Sequence, residues 1–155
     1  MPKRLAFVLL LLAGCVAPPG PMERLSNSAY GLNNATRFGR LDVALSHVAA
    51  EEQGDFMHRH SKWGRDVRIV DLELQGLRLI TPDTAEVQLA VSWHRLDETT
   101  IRTSNLAQKW TQGKSGWELV EEVRAGGSAG LFAEPKEQKA KRAPAVEGVT
   151  TTDWQ

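Results

Sequence analysis

Ala85-Glu86-Val87-Gln88-Leu89-Ala90-Val91-Ser92-Trp93-His94 sets Ala85, Val87, Leu89, Val91 and Trp93 on one side of an extended chain. Glu86, Gln88, Ala90, Ser92 and His94 fall on the other. A period of two with one apolar side describes a strand that buries one face and wets the other. Working outward, Thr81-Pro82-Asp83-Thr84 supplies a turn before it, and residues 95–98 supply one after it. Upstream, Val67, Ile69, Leu72, Leu74, Leu77 and Leu79 predict a partner strand. The apolar phase slips around Asp71, as a β-bulge would make it. Downstream, residues 99–110 read as a long strand, residues 112–116 as a hairpin, and Trp117, Leu119 and Val123 as the inner face of a last strand.

Before Trp63-Gly64 the period lengthens. Leu25, Ala29 and Leu32 recur at i, i+4 and i+7 and predict a helix over about residues 22–36. Gly39 interrupts it, and Leu41, Leu45 and Val48 repeat the spacing with Asp42 in the first turn. A third, shorter helix fits residues 51–58, although Gly54 lies inside it. Helices followed by strands predict an α+β domain over residues 22–125, its N-terminal helices packed on a curved antiparallel sheet. The helix-helix-helix-then-strand order resembles the nuclear transport factor 2-like fold, a cone shared by ketosteroid isomerases and SnoaL-like cyclases. So do the strands ending in Trp93 and Trp110 and the closing arm Gly116-Trp117-Glu118-Leu119.

The N-terminus carries a different kind of signal. Lys3 and Arg4 precede an apolar run from Leu5 to Leu12, which leads into Ala13, Gly14 and the only cysteine, Cys15. Eight apolar residues in a helix reach about 12 Å at ~1.5 Å per residue, against a hydrocarbon core of ~30 Å. Leu12-Ala13-Gly14-Cys15 resembles the lipobox of bacterial lipoproteins. That resemblance implies a signal peptide over residues 1–14, cleavage between Gly14 and Cys15, and a lipid on the Cys15 thiol. Val16, rather than aspartate, follows the cysteine and implies the outer membrane, facing the periplasm. Residues 15–21 then form a lipidated, proline-rich tether of roughly 15–20 Å in extended geometry. Residues 126–155 read as a glycine-rich break and a disordered tail with a basic cluster at 136–142. With one cysteine no internal disulfide forms, so the fold rests on its core.

Lys and Arg total 19 and so do Asp and Glu, which excludes the strong basic field of a nucleic-acid binder. No G-x-S-x-G, H-E-x-x-H or phosphate loop occurs. The isomerase resemblance implies an aspartate base with an oxyanion hole of tyrosine and a protonated acid. Tyr30 is the one tyrosine, and Asp66 and Asp71 near the helix-to-sheet junction are the acids to weigh beside it. No motif matches residue by residue, and packing at Tyr30 with turn or surface roles for the aspartates is the favoured reading. A pocket lined by Tyr30, Trp63, Trp93, Asn105 and Trp110 competes with a core simply filled by tryptophans, which is favoured. Gln88, Ser92 and Gln108 are further polar groups for such a pocket. His47, His58 and His60 lack a fixed ligand spacing and sit beside Arg59 and Arg65, so no metal and no cofactor is expected. The expectation is a membrane-anchored lipoprotein whose domain binds a protein partner or a small apolar ligand, with a small isomerase- or cyclase-like enzyme as the alternative.

Overall fold

The computed structural model describes residues 18–133; residues 1–17 and 134–155 lie outside it. The signal peptide, Cys15 and the basic cluster therefore fall outside the described residues. The order is α1 (Pro21–Arg37), α2 (Leu41–Leu45), α3 (Gln53–Arg59), then β1 (Val67–Thr81), β2 (Thr84–Arg95), β3 (Arg102–Gly113) and β4 (Gly116–Gly127). The strands form one antiparallel sheet in the order β1-β2-β3-β4, so the domain is α+β.

Pro21 opens α1 where its missing N–H costs nothing, with Glu23 in the first turn and Arg37 in the last. The helix ends in a Schellman motif: Arg40 N–H donates to Ala35 O (2.9 Å) and Gly39 N–H to Thr36 O (3.0 Å). Gly39 takes φ +71°, which a side chain would resist. α2 is shorter than its apolar spacing suggested. Val48 leaves the helix and bridges Leu119 on β4, with Ala49 N–H donating to Leu119 O and Leu119 N–H to His47 O.

The alternation in β2 is realised directly. Ala85, Val87, Leu89, Val91 and Trp93 are buried and meet Leu25, Ala29 and Leu32 of α1, Phe56 of α3, and Trp110 and Leu119 in a single core. β1 pairs with β2 through three register shifts, one of them at Ile69/Asp71 where the phase slip pointed. In β4 the expected face is wrong beyond Leu119. A register shift opposite Lys109/Trp110 leaves Val120 as an extra residue, so Glu122 points inward and Val123 is 45% exposed.

The domain also runs past residue 125. Gly126 and Gly127 stay paired with Asn105 and Ser104, and Leu131 is fully buried. The glycine-rich stretch ends a strand but does not end the fold. Among the described residues no helix is long and apolar enough to cross a membrane.

Candidate functional site: a buried polar cluster under the C-terminal segment

Four elements bring polar side chains together inside the core. On α1, Asn33 sits one turn after Ala29 on the inner face and donates from Nδ2 to Ala29 O (2.8 Å). Antiparallel pairing sets Gln108 on β3 opposite Glu122 on β4. Gln108 Nε2 donates to Asn33 Oδ1 and to Glu122 Oε1, both at 2.9 Å. Its Oε1 accepts from Asn33 Nδ2 (3.2 Å) and Trp110 Nε1 (3.3 Å). The amide of Gln108 is thus fully used, as a buried amide must be.

Glu122 is less well served. Its Oε2 lies 3.3 Å from His60 Nε2 and 3.7 Å from Arg59 Nε. Neither contact has hydrogen-bond geometry, and both Oε2 and Arg59 Nε lack a hydrogen-bond partner among the described residues. Arg59 turns its Nη2 to Glu52 Oε1 instead. His60 Nδ1 lies 2.8 Å from Phe56 O, an acceptor only, so this nitrogen carries the hydrogen. The ring is wrapped by Phe56, Trp63 and Phe132 at centroid distances of 4.1, 4.5 and 5.3 Å. This burial pushes the His60 imidazole below its ordinary pKa; the Glu122 carboxylate and the Phe56 carbonyl pull it up, and Arg59 adds to the lowering.

The wall over this cluster is the segment after β4. Ser128 N–H donates to Thr103 O (2.8 Å), and Ser128 O accepts from Ser104 Oγ (2.7 Å), which in turn accepts from Trp93 Nε1 (2.9 Å). Leu131 O accepts from Trp63 Nε1 (3.1 Å), Phe132 stacks on Trp63, and Ala133 N–H donates to Arg59 O (3.0 Å).

The residues singled out from sequence do not form one pocket. Trp93 and Trp110 are fully buried and fill the core. Trp63 is half-buried beneath residues 131–132. Asn105 is exposed, in a shallow outer groove of about 410 Å³ with Gln75, Gln88 and Ala125. Tyr30 is 70% exposed, so it is neither a catalytic group in a closed site nor a packing residue between helix and sheet. It rims a cleft of about 100 Å³ with Asn34, Arg37, Leu72 and Leu89, well under the ~300 Å³ that ligand pockets usually offer. Asp71 pairs with Arg37 (3.0 Å), while Asp66 is exposed beside Arg65 (3.6 Å). Tyr30, Asp66 and Asp71 therefore do not converge on an interior cavity. Of the histidines only His60 enters the cluster; His47 sits against Gly31. No group of three or more His, Cys, Asp or Glu among the described residues is placed to hold a metal ion. Of the three network residues only Gln108 stands out in the sequence as a candidate polar group. Asn33 carried a usable signal, a polar residue on the apolar stripe four after Ala29, whereas Glu122 turns inward only because of the bulge.

No family model matches the chain, and no curated protein matches its sequence. Solved structures resemble it in fold. A domain from Exiguobacterium sibiricum described as a calcium/calmodulin-dependent kinase II association domain aligns with TM-score 0.57 and 8% identity, covering 78% of this chain and 99% of that one. The intermembrane space region of the chloroplast protein ARC6 aligns with TM-score 0.50 and 13% identity, covering 69% and 98%. A SEC-C motif containing protein from Rhodopseudomonas palustris aligns with TM-score 0.50 and 13% identity, covering 59% and 70%. At these identities the likeness is one of fold alone.

Proposed function

We propose that this chain is a lipid-anchored protein of the bacterial cell envelope whose domain, a nuclear transport factor 2-like cone, works by binding a partner and not by catalysis. The observation that carries the binding reading is the filled interior. Trp93, Trp110 and Phe56 occupy the inner side of the sheet, and the polar groups among them are mostly paired with one another. A substrate would find about 100 Å³ beside Tyr30, or an open outer groove of about 410 Å³ lined by Gln75, Gln88 and Asn105, and no acid and base converge on either. The likeness to the kinase association domain supports the cone reading of the fold. The anchor rests on Leu12-Ala13-Gly14-Cys15 and the Pro18-Pro19-Gly20-Pro21 tether. Pro19 at its folded end accepts from Arg24 Nη1 (2.7 Å) at the start of α1.

Two measurements test this reading. On density-gradient fractionation the native chain should travel with the outer membrane, and Cys15→Ala should move to the osmotic-shock fraction; identical partition of the two contradicts the anchor. At pH 7.5 an apolar reporter dye such as anilinonaphthalene sulfonate should show no saturable one-to-one binding to the folded domain. Stoichiometric binding that Trp110→Ala abolishes would instead favour an open pocket.

A further inference from the structure

We propose that the outer edge of β1 is a dimerisation edge. Residues 72–79 pair antiparallel with the same residues of a second copy of this chain, joining two four-stranded sheets into one. This deepens the partner-binding reading by naming the partner, rests on that reading, and needs no lipid anchor.

Three observations support it. The first is an edge left open. β1 ends the sheet order, so one side of it has no strand beside it. The other end of the sheet is closed, because Val48 bridges Leu119 and both His47 and Ala49 share backbone bonds with that residue. The start of β1 is occupied too: Trp63 bridges Val67, Arg37 pairs with Asp71, and Asp71 Oδ1 accepts from the Leu72 N–H (2.9 Å). Among the described residues, no backbone hydrogen bond joins residues 73–80 to any element but β2. An open edge is a template for another strand, and native sheets often blunt it with proline or lysine. Neither occurs in residues 72–80.

Secondly, the core-facing side of this stretch is unfinished. Leu72, Leu74, Leu77 and Leu79 stand opposite the buried Val91, Leu89, Val87 and Ala85 of β2. Leu72, Leu77 and Leu79 are nevertheless only partly covered, and Leu74 is 44% exposed. Leu72 and Leu74 still line the open cleft rimmed by Tyr30.

Thirdly, the stretch is complementary to itself. A two-fold antiparallel pair centred between Gln75 and Gly76 sets Leu74 opposite the partner's Leu77, and Leu72 opposite the partner's Leu79. On the other face it sets Glu73 opposite the partner's Arg78, and symmetry repeats each pair. Arg78 already holds Glu86 at 2.7 Å, yet its side chain stays 70% exposed and can take a second carboxylate. The register shift between Leu74 and Gly76 falls on the two-fold centre. Both strands therefore carry two residues between Leu74 and Leu77, and the bulges do not break the pairing. Other centres fail. Centring on Glu73 or on Arg78 sets like charges directly opposite. Centring one residue earlier or later sets Leu74 against Gln75 or Leu77 against Gly76. The leucines supply the burial, and the exposed ion pairs chiefly fix the register.

Sedimentation equilibrium of the full chain carrying Cys15→Ala, over a wide concentration range, tests this. That substitution removes the proposed lipid site and leaves residues 72–79 intact. The chain should be a reversible dimer. Glu73→Arg and Arg78→Glu, each alone, should weaken dimerisation at least about tenfold, because each sets two like-charge pairs in the interface. The two exchanges together should restore it to within about threefold of the starting chain. Amides of residues 72–79 should also gain hydrogen-exchange protection as concentration rises. A monomer at every concentration overturns the inference but not the partner reading, which the dye measurement tests separately. Protection of residues 72–79 in a monomer would give the edge to another segment of the same chain, such as 134–155, and overturns it as well. So does a dimer indifferent to both single exchanges, which would use another surface. Should Arg78→Glu fail to fold through loss of its Glu86 pair, Glu73→Arg and the concentration dependence of the starting chain still decide.

Discussion

Gln108 joins α1, β3 and β4 through both amide hydrogens and both carbonyl lone pairs, so its loss strands several groups at once. In Gln108→Leu the Asn33 and Glu122 oxygens and the Trp110 indole N–H would stay buried without that partner. An orphaned buried polar group costs about 1–3 kcal/mol. The expected loss in urea unfolding is therefore about 3 kcal/mol, allowing for partial rearrangement within the network. Gln88 lies on the exposed side of the neighbouring strand, and Gln88→Leu should stay within about 0.5 kcal/mol of the native chain. Equal effects would mean that the network is incidental. The sequence showed Gln108 as a polar residue able to orient something. That the thing oriented is Glu122 was hidden, because a strict period of two places Val123 inside.

At the scale of elements, two glycines at similar φ predict different outcomes. Gly39 (+71°) closes α1 with no atom within 4 Å of where a Cβ would stand. Gly39→Ala should cost about 1 kcal/mol, the left-handed backbone alone. At Gly127 (+73°) the same Cβ would lie 2.4 Å from Thr103 O and 2.9 Å from Ser104 Cα. There the strand must move as well, and Gly127→Ala should cost clearly more, about 2 kcal/mol or above by adding steric overlap to backbone strain. Thermal melts of the two variants in parallel would show whether the β3–β4 end is as tightly built as its geometry implies.

The same contrast explains which elements were legible. β2 alternates because one face meets the core and the other water, and α1 repeats at i, i+4 and i+7 for the same reason, so both patterns stand in the residues themselves. The segment beyond residue 125 did not, because Gly126, Gly127 and Gly130 read as a break. In the fold the first two still pair with β3, and Leu131 lies in the core with its carbonyl bonded by the indole of Trp63, far away in sequence. Helix lengths erred where tertiary contacts take over. α2 stops at Leu45 because Val48 is claimed by the edge of β4.

Taken as a whole, the described residues form a closed α+β domain with its interior occupied, preceded by an exposed Pro18-Pro19-Gly20 segment; the lipid anchor proposed at Cys15 would lie just before that segment. If tether and domain are independent, Cys15→Ala should leave the unfolding midpoint of residues 18–133 unchanged while abolishing membrane retention. A shift of several degrees would show that the anchor also supports the fold. The anchoring claim is tested most directly by the intact mass of the full-length chain purified from bacterial membranes. The account predicts a polypeptide beginning at Cys15 and carrying a diacylglyceryl adduct on that residue; a mature chain with a free Cys15 thiol, or one retaining residues 1–14, would contradict it.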